Sequence, residues 1–204
     1  MWILIYLLII AVNTLIIITI IDVIFMGGLS YNFSSNCKKE EFLIERPVRI
    51  DFQSKEDCAG YSVAYLLRFI GIEANGAELY EKIPNRYQKD YVFPKGIVRL
   101  LQNYGIKIKY KVGNLNSLKN EVAKGNPVII MIRSRIGQSY FHFVNVVGYD
   151  KNYIYIADSF KDFANCEYSV YNRKIDTKTF MKLWNTSSWI CPLYFNTYFS
   201  RIIG

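Results

Sequence analysis

The sequence predicts one α+β domain carried behind a single membrane-spanning helix. Three observations lead there: residues 2–21 hold no charged side chain, residues 59–104 repeat apolar side chains at helical spacing, and the segments after residue 105 alternate or run apolar as strands do. The chain has 204 residues, is 51% hydrophobic and 21% charged, and so is neither disordered nor collagenous. Its excess of basic residues, Lys+Arg 25 against Asp+Glu 17, lies wholly beyond residue 26, because Asp22 is the only charge before that point. Composition therefore divides the chain into a helix over 1–26, a juxtamembrane linker over 27–46 and one domain over 47–204.

The run Trp2–Ile21 is long enough, at ~1.5 Å per residue, to cross the ~30 Å hydrocarbon core of a bilayer. A cleaved signal peptide would need a basic start and a small-residue cleavage site, and the segment opens Met1-Trp2-Ile3. An uncleaved signal anchor is the expectation. Lys38, Lys39, Arg46 and Arg49 follow the span and vote for a cytoplasmic domain, but long domains translocate largely regardless of charge. Gly27-Gly28 and the Ser and Asn residues behind them read as linker.

Ala59–Ile70 places Val63, Leu66, Leu67 and Ile70 on one helical face and stops at Gly71. Gly76–Lys82 is a short helix ended by Pro84, and Lys95–Tyr104 is a third, stopped by Gly105. Ile106–Val112 alternates apolar and basic residues, so Lys107, Lys109 and Lys111 share the solvated face of a strand. That face accounts for much of the basic character, and no nucleic-acid module is recognisable. Leu115–Lys124 is a helix before Gly125, and Pro127–Ile132 is a buried strand entered through proline. Phe141–Val147 and Tyr153–Ala157 flank a turn signal and form a hairpin. The aromatic tail, with Trp184, Trp189, Tyr194 and Tyr198, is expected to supply core and groove wall.

One histidine excludes any metal site built on several histidine ligands, and the four cysteines form no close pair of zinc-knuckle spacing. No metal or other cofactor is expected. Nucleophilic catalysis by a Cys–His pair remains, and Cys58 is the candidate thiol because it opens a predicted helix, where unpaired amides and the helix dipole favour a thiolate. A three-residue loop over Tyr149–Lys151 sets His142 directly opposite Asp158 across the hairpin. The carboxylate then holds Nδ1–H and leaves Nε2 facing the thiol. Taken singly, Cys58 and His142 are more often inert core residues; taken with Asp158 they make a candidate triad. Cys37, Cys166 and Cys191 are left for a possible disulfide.

The segments Gln53-Ser54-Lys55-Glu56-Asp57-Cys58-Ala59-Gly60, Gly125-Asn126-Pro127-Val128-Ile129-Ile130, His142-Phe143-Val144-Asn145-Val146-Val147-Gly148-Tyr149-Asp150 and Ile154-Tyr155-Ile156-Ala157-Asp158 resemble the C39-like branch of papain-fold cysteine peptidases. The likeness covers about residues 50–160 and places Cys58, His142 and Asp158 on the family's catalytic positions. It implies a papain-like fold, a peptide or protein substrate, and an oxyanion-hole amide from Gln53 beside the backbone N–H of Cys58. Gln53 stands one residue nearer the cysteine than the family pattern, and Ala59 replaces its usual glycine. The resemblance also implies an extracytoplasmic domain on a single span. A membrane-anchored thiol hydrolase is the leading expectation. An acyl or amide transferase with the same triad, and a non-catalytic peptide-binding module, are the alternatives; oligomeric state is left open.

Overall fold

The computed structural model describes residues 2–84, 86–87, 91–187 and 193–202. Helix α1 (Trp2–Ile21) buries none of its side chains, and a turn of π-helix, Asp22–Met26, continues it to Gly27, whose left-handed φ of 84° lets its N–H return to the Asp22 carbonyl. Among the described residues this is one helix long and apolar enough to cross a membrane.

Behind it lies an eight-stranded sheet with helices on both faces. The strands are β1 (Ser30–Asn32), β2 (Phe42–Leu43), β5 (Ile108–Gly113), β6 (Val128–Arg133), β7 (Phe141–Tyr149), β8 (Tyr153–Ala157), β9 (Arg173–Asp176) and β10 (Thr197–Arg201), in the order β1-β5-β10-β6-β7-β8-β9 with β2 paired to β7. A separate two-stranded ribbon joins β3 (Arg86–Tyr87) to β4 (Tyr91–Val92). Residues 27–46 thus reach into the sheet: β1 runs parallel to β5, and β2 pairs with the end of β7.

The period-two pattern of the strands sorts side chains between two cores. Ile129, Phe143 and Phe199 face helices α2 (Cys58–Phe69), α3 (Gly76–Lys82) and α4 (Pro94–Gln102), whereas Ile130, Val144 and Tyr198 face α5 (Leu115–Val122) and α6 (Thr177–Trp184). Helix α5 opens on a reciprocal capping box between Asn114 and Ser117. Helices α2 and α3 cross at Gly60 and Gly76: a Cβ on Gly60 would lie 2.2 Å from the Gly76 carbonyl oxygen, so only hydrogen fits there. The tail does supply core, with Trp184 and Tyr198 fully buried. Trp189 and Cys191 lie outside the described residues; Cys37, Cys58 and Cys166 are free thiols.

The hairpin departs from its expected register. Its loop is the three residues Asp150–Asn152, with Asp150 Oδ1 accepting the N–H groups of Asn152 and Tyr153, and Tyr149 pairs with Ile154. A bulge between Val146 and Gly148 then shifts the ladder, so that Val146 meets Ile156 and Asn145 meets Ala157. Continued one step, that offset sets Asp158 against Val144, two residues from His142. The two side chains meet diagonally across the strands, within the reach such neighbours have.

Candidate active site

Helix α2 brings its first residue, Cys58, against β7. Ser62 Oγ donates to the Phe143 carbonyl at 2.8 Å, Asn145 Nδ2 donates to the Ser62 carbonyl at 3.0 Å, and the Phe143 N–H points at Cys58 Sγ at 3.5 Å. These bonds fix the thiol at one end of the sheet, where His142 opens β7 and Asp158 follows β8. The Asp57 side chain makes no capping bond to the first turn of α2, which leaves helix-terminal amides beside the thiol unclaimed by it.

The Nε2 atom of His142 lies 2.7 Å from Asp158 Oδ1, and Cys58 is near enough to the ring to raise its pKa. The ring is therefore turned the other way from the sequence expectation: Nε2 faces the carboxylate and Nδ1 is the nitrogen left for the thiol. The diagonal approach explains it, since the carboxylate meets the far side of the ring rather than the side nearest the β7 backbone. His142 and Asp158 are 1% and 0% exposed, and Cys58 is 7% exposed. Phe160 and Phe163 stand edge-on to the imidazole, with ring centroids at 6.1 and 6.2 Å, and keep water from it.

Sequence reasoning missed the residues that hold Asp158. Arg173 Nη1 lies 2.7 Å from Asp158 Oδ2, and the Phe160 N–H donates to Oδ1 at 2.8 Å. Asn172 clamps the backbone of Asp158 in both directions, at 2.9 and 2.8 Å. The guanidinium also rests 4.6 Å from the centre of the Phe163 ring. The available signal was the alternation Arg173-Lys174-Ile175-Asp176, which puts an arginine on the inward face of a strand, where a charge demands a buried partner.

Burial alone opposes the imidazolium, but the Asp158 carboxylate and the nearby Cys58 raise the His142 pKa to about 10. Burial likewise opposes the Asp158 carboxylate, and His142 and Arg173 overcome it to hold that pKa below the usual range. In its ionised form the site alternates thiolate, imidazolium, carboxylate and guanidinium, four charges that sum to zero.

Gln53 sits beside this end of the sheet without lining the cleft. Its N–H donates to the Ser159 carbonyl at 2.9 Å, its Oε1 accepts from Ser159 Oγ at 2.6 Å, and its Nε2 donates to the Lys55 carbonyl at 2.7 Å. A cavity of about 440 Å³ opens on the thiol and is walled by apolar side chains, among them Val92, Phe93, Met131 and Phe143.

A helix-borne cysteine set against a sheet that carries a histidine and an acid belongs to the papain-like class of fold. The chain belongs to the Peptidase_C39 like family, whose profile matches residues 46–190. Solved structures agree on the fold. A Bacillus anthracis protein described as a C39-like peptidase is 17% identical and matches with a TM-score of 0.62 over 81% of this chain and 99% of its own. The peptidase domain of the Streptococcus ComA transporter is 14% identical, with a TM-score of 0.59 over 78% of this chain and 100% of that domain. A cysteine protease from Carica candamarcensis, 15% identical, matches at 0.52 over 80% of this chain and 98% of its own. No curated protein matches the chain in sequence.

Proposed function

We propose that this protein is a membrane-anchored cysteine peptidase that cleaves amide bonds through a thioester. The observation that carries the proposal is the buried run His142–Asp158–Arg173 beside Cys58, whose thiol lines an apolar cleft. The Cys58 thiolate attacks the scissile carbonyl carbon, and the C=O π electrons move onto oxygen. Backbone amides at the start of α2 receive that oxyanion, and the second N–H of the Gln53 carboxamide, steadied by Ser159 outside the apolar lining of the cavity, is the further donor assigned to it. As the C–N bond breaks, Nδ1–H of His142 protonates the leaving amine. Water then attacks the thioester, gives its proton to Nδ1, and releases the acid and Cys58. Asp158 keeps the ring oriented and its positive charge compensated throughout.

Residues 1–26 serve as the membrane anchor and 47–204 as the catalytic domain, with 27–46 tying the two together through β1 and β2. We place the domain on the extracytoplasmic face. A membrane-impermeant thiol reagent applied to intact cells labels Cys166 in that orientation and leaves it untouched in the opposite one.

The activity test uses the full chain in detergent micelles. Iodoacetamide is expected to modify Cys58 well ahead of Cys37 and Cys166, and Cys58→Ala and His142→Ala each abolish cleavage of a peptide library. Equal modification of the three thiols, or cleavage that survives either substitution, would overturn the proposal.

A further inference from the structure

Met26, the last residue of the N-terminal helix, is 9% exposed and lines the same cavity as Cys58. It packs in one apolar cluster with Cys58, Ala59 and Tyr80. The end of the helix is locked onto both walls of that cavity. Asp22 Oδ1 accepts from Tyr194 Oη at 2.9 Å, Asp22 Oδ2 accepts the Leu29 N–H at 3.0 Å, Lys95 Nζ donates to the Val23 carbonyl, and the Phe25 and Phe93 rings lie 4.5 Å apart. Phe93 and Tyr194 line the cavity themselves. The twenty residues before Asp22 touch nothing in the domain closely enough to be buried by it.

This geometry fixes the height of the cleft above the bilayer. A carboxylate at Asp22 stays at or outside the hydrocarbon boundary. Met26 is four residues further on, about 6 Å along a helix, and the headgroup layer on each side is about 5–7 Å thick. The mouth of the cleft therefore stands at the outer edge of the headgroups, with an apolar wall that the anchor itself completes.

We infer that the substrate is a polypeptide held at the membrane surface that presents an apolar side chain beside its scissile bond, and that Met26 is a residue that determines this specificity. The inference rests on the peptidase reading above and adds the substrate class to it. Removing the Met26 side chain deepens the pocket toward the anchor, and enlarging it fills the space the substrate side chain would take. A side chain misfitted by a few methylenes changes selectivity about tenfold or more.

The test uses the full chain in lipid nanodiscs with four electrophiles: iodoacetamide, its N-butyl and N-hexyl derivatives, and iodoacetamide carried on a phosphatidylethanolamine headgroup. Each rate at Cys58 is divided by that protein's own rate with iodoacetamide, which cancels any loss of folded enzyme. The wild-type chain is expected to prefer the N-butyl reagent about tenfold, Met26→Trp to lose that preference, and Met26→Ala to shift it toward an N-hexyl reagent. The lipid-borne reagent is expected to reach Cys58 before Cys166. The same N-butyl preference in all three proteins, or lipid-borne labelling of Cys166 first, would overturn the inference while leaving the peptidase reading intact. If plain iodoacetamide does not distinguish Cys58 from Cys166, both fail together.

Discussion

Arg173 offers the sharpest perturbation of the site, because its charge reaches His142 and Cys58 through Asp158. Its Nη1 and Asp158 Oδ2 are 2.7 Å apart and the carboxylate is fully buried. At that distance two unit charges attract by about 6 kcal/mol at an effective dielectric of 20, and removing one partner of a buried pair typically costs about 3–5 kcal/mol because the other is left uncompensated. Arg173→Met is therefore expected to lower the thermal midpoint by roughly 6–20 °C in a chain of this size. The catalytic consequence has a definite sign. Arg173 helps hold the Asp158 pKa low, so in its absence that pKa rises and the His142–Asp158 pair is lost at a higher pH as acid is added. The acid limb of the profile for Cys58 alkylation moves upward, and Arg173→Lys, which keeps the charge, restores most of it. Tryptophan fluorescence on heating and alkylation rates across pH read the two effects separately. An Arg173→Met protein with the wild-type midpoint and an unmoved acid limb would refute this account of Asp158.

Four further outcomes are expected. His142 is the one histidine, so its ring gives a single set of NMR signals; these should stay in the protonated position through neutral pH and move near pH 10, with Cys58→Ala shifting the transition to lower pH. Because that pKa is raised on folding, the stability the group contributes is complete below its unfolded pKa of ~6.5 and is lost as pH rises through about 10, which thermal midpoints in alkaline buffers will follow. Gly60→Ala forces a methyl onto the Gly76 carbonyl and should cost about 2 kcal/mol, visible as a lower midpoint with the site residues unchanged. Gln53→Ala should reduce turnover about 100-fold with little change in KM, and a loss smaller than threefold would remove Gln53 from the oxyanion hole.

Local chemistry was legible in the sequence and long-range chemistry was not. Helix α2 could be placed within a residue because Gly71 stops it and its apolar spacing is clear, and that placement put Cys58 at a helix start. The hairpin strands were also visible, but the bulge between Val146 and Gly148 carries no mark in a run of valines, so the register and the orientation of the imidazole both came out differently. Arg173 was missed for another reason: its meaning depends on β9 pairing with β8, a contact that no local pattern announces. Strands β1 and β2 lay hidden in a polar segment with the composition of a linker. The basic strand is half-solvated as its alternation predicts for Ile108, Tyr110 and Val112, which are buried, and for Lys107 and Lys109, which are exposed, but Lys111 is half-buried and donates to Ser200 on the neighbouring β10.

Strand β10 has a consequence for the order in which this molecule is assembled. Residues 197–201 lie between β5 and β6, which are far earlier in the chain, and they bond Thr197–Arg201 to β5 along their length while Tyr198 meets Ile130 of β6. During synthesis the strands β6–β9, with α2 laid on β7, are complete before β10 leaves the ribosome, and contacts of such wide sequence separation form late and slowly. The half holding Cys58, His142 and Asp158 can thus form first, with α4 packed on α2, while β5 joins the sheet beside β6 only when β10 arrives. Closure of the sheet between β5 and β6 therefore waits on the last residues described, and a chain stopped short of residue 197 would leave the facing edges of both strands unpaired there.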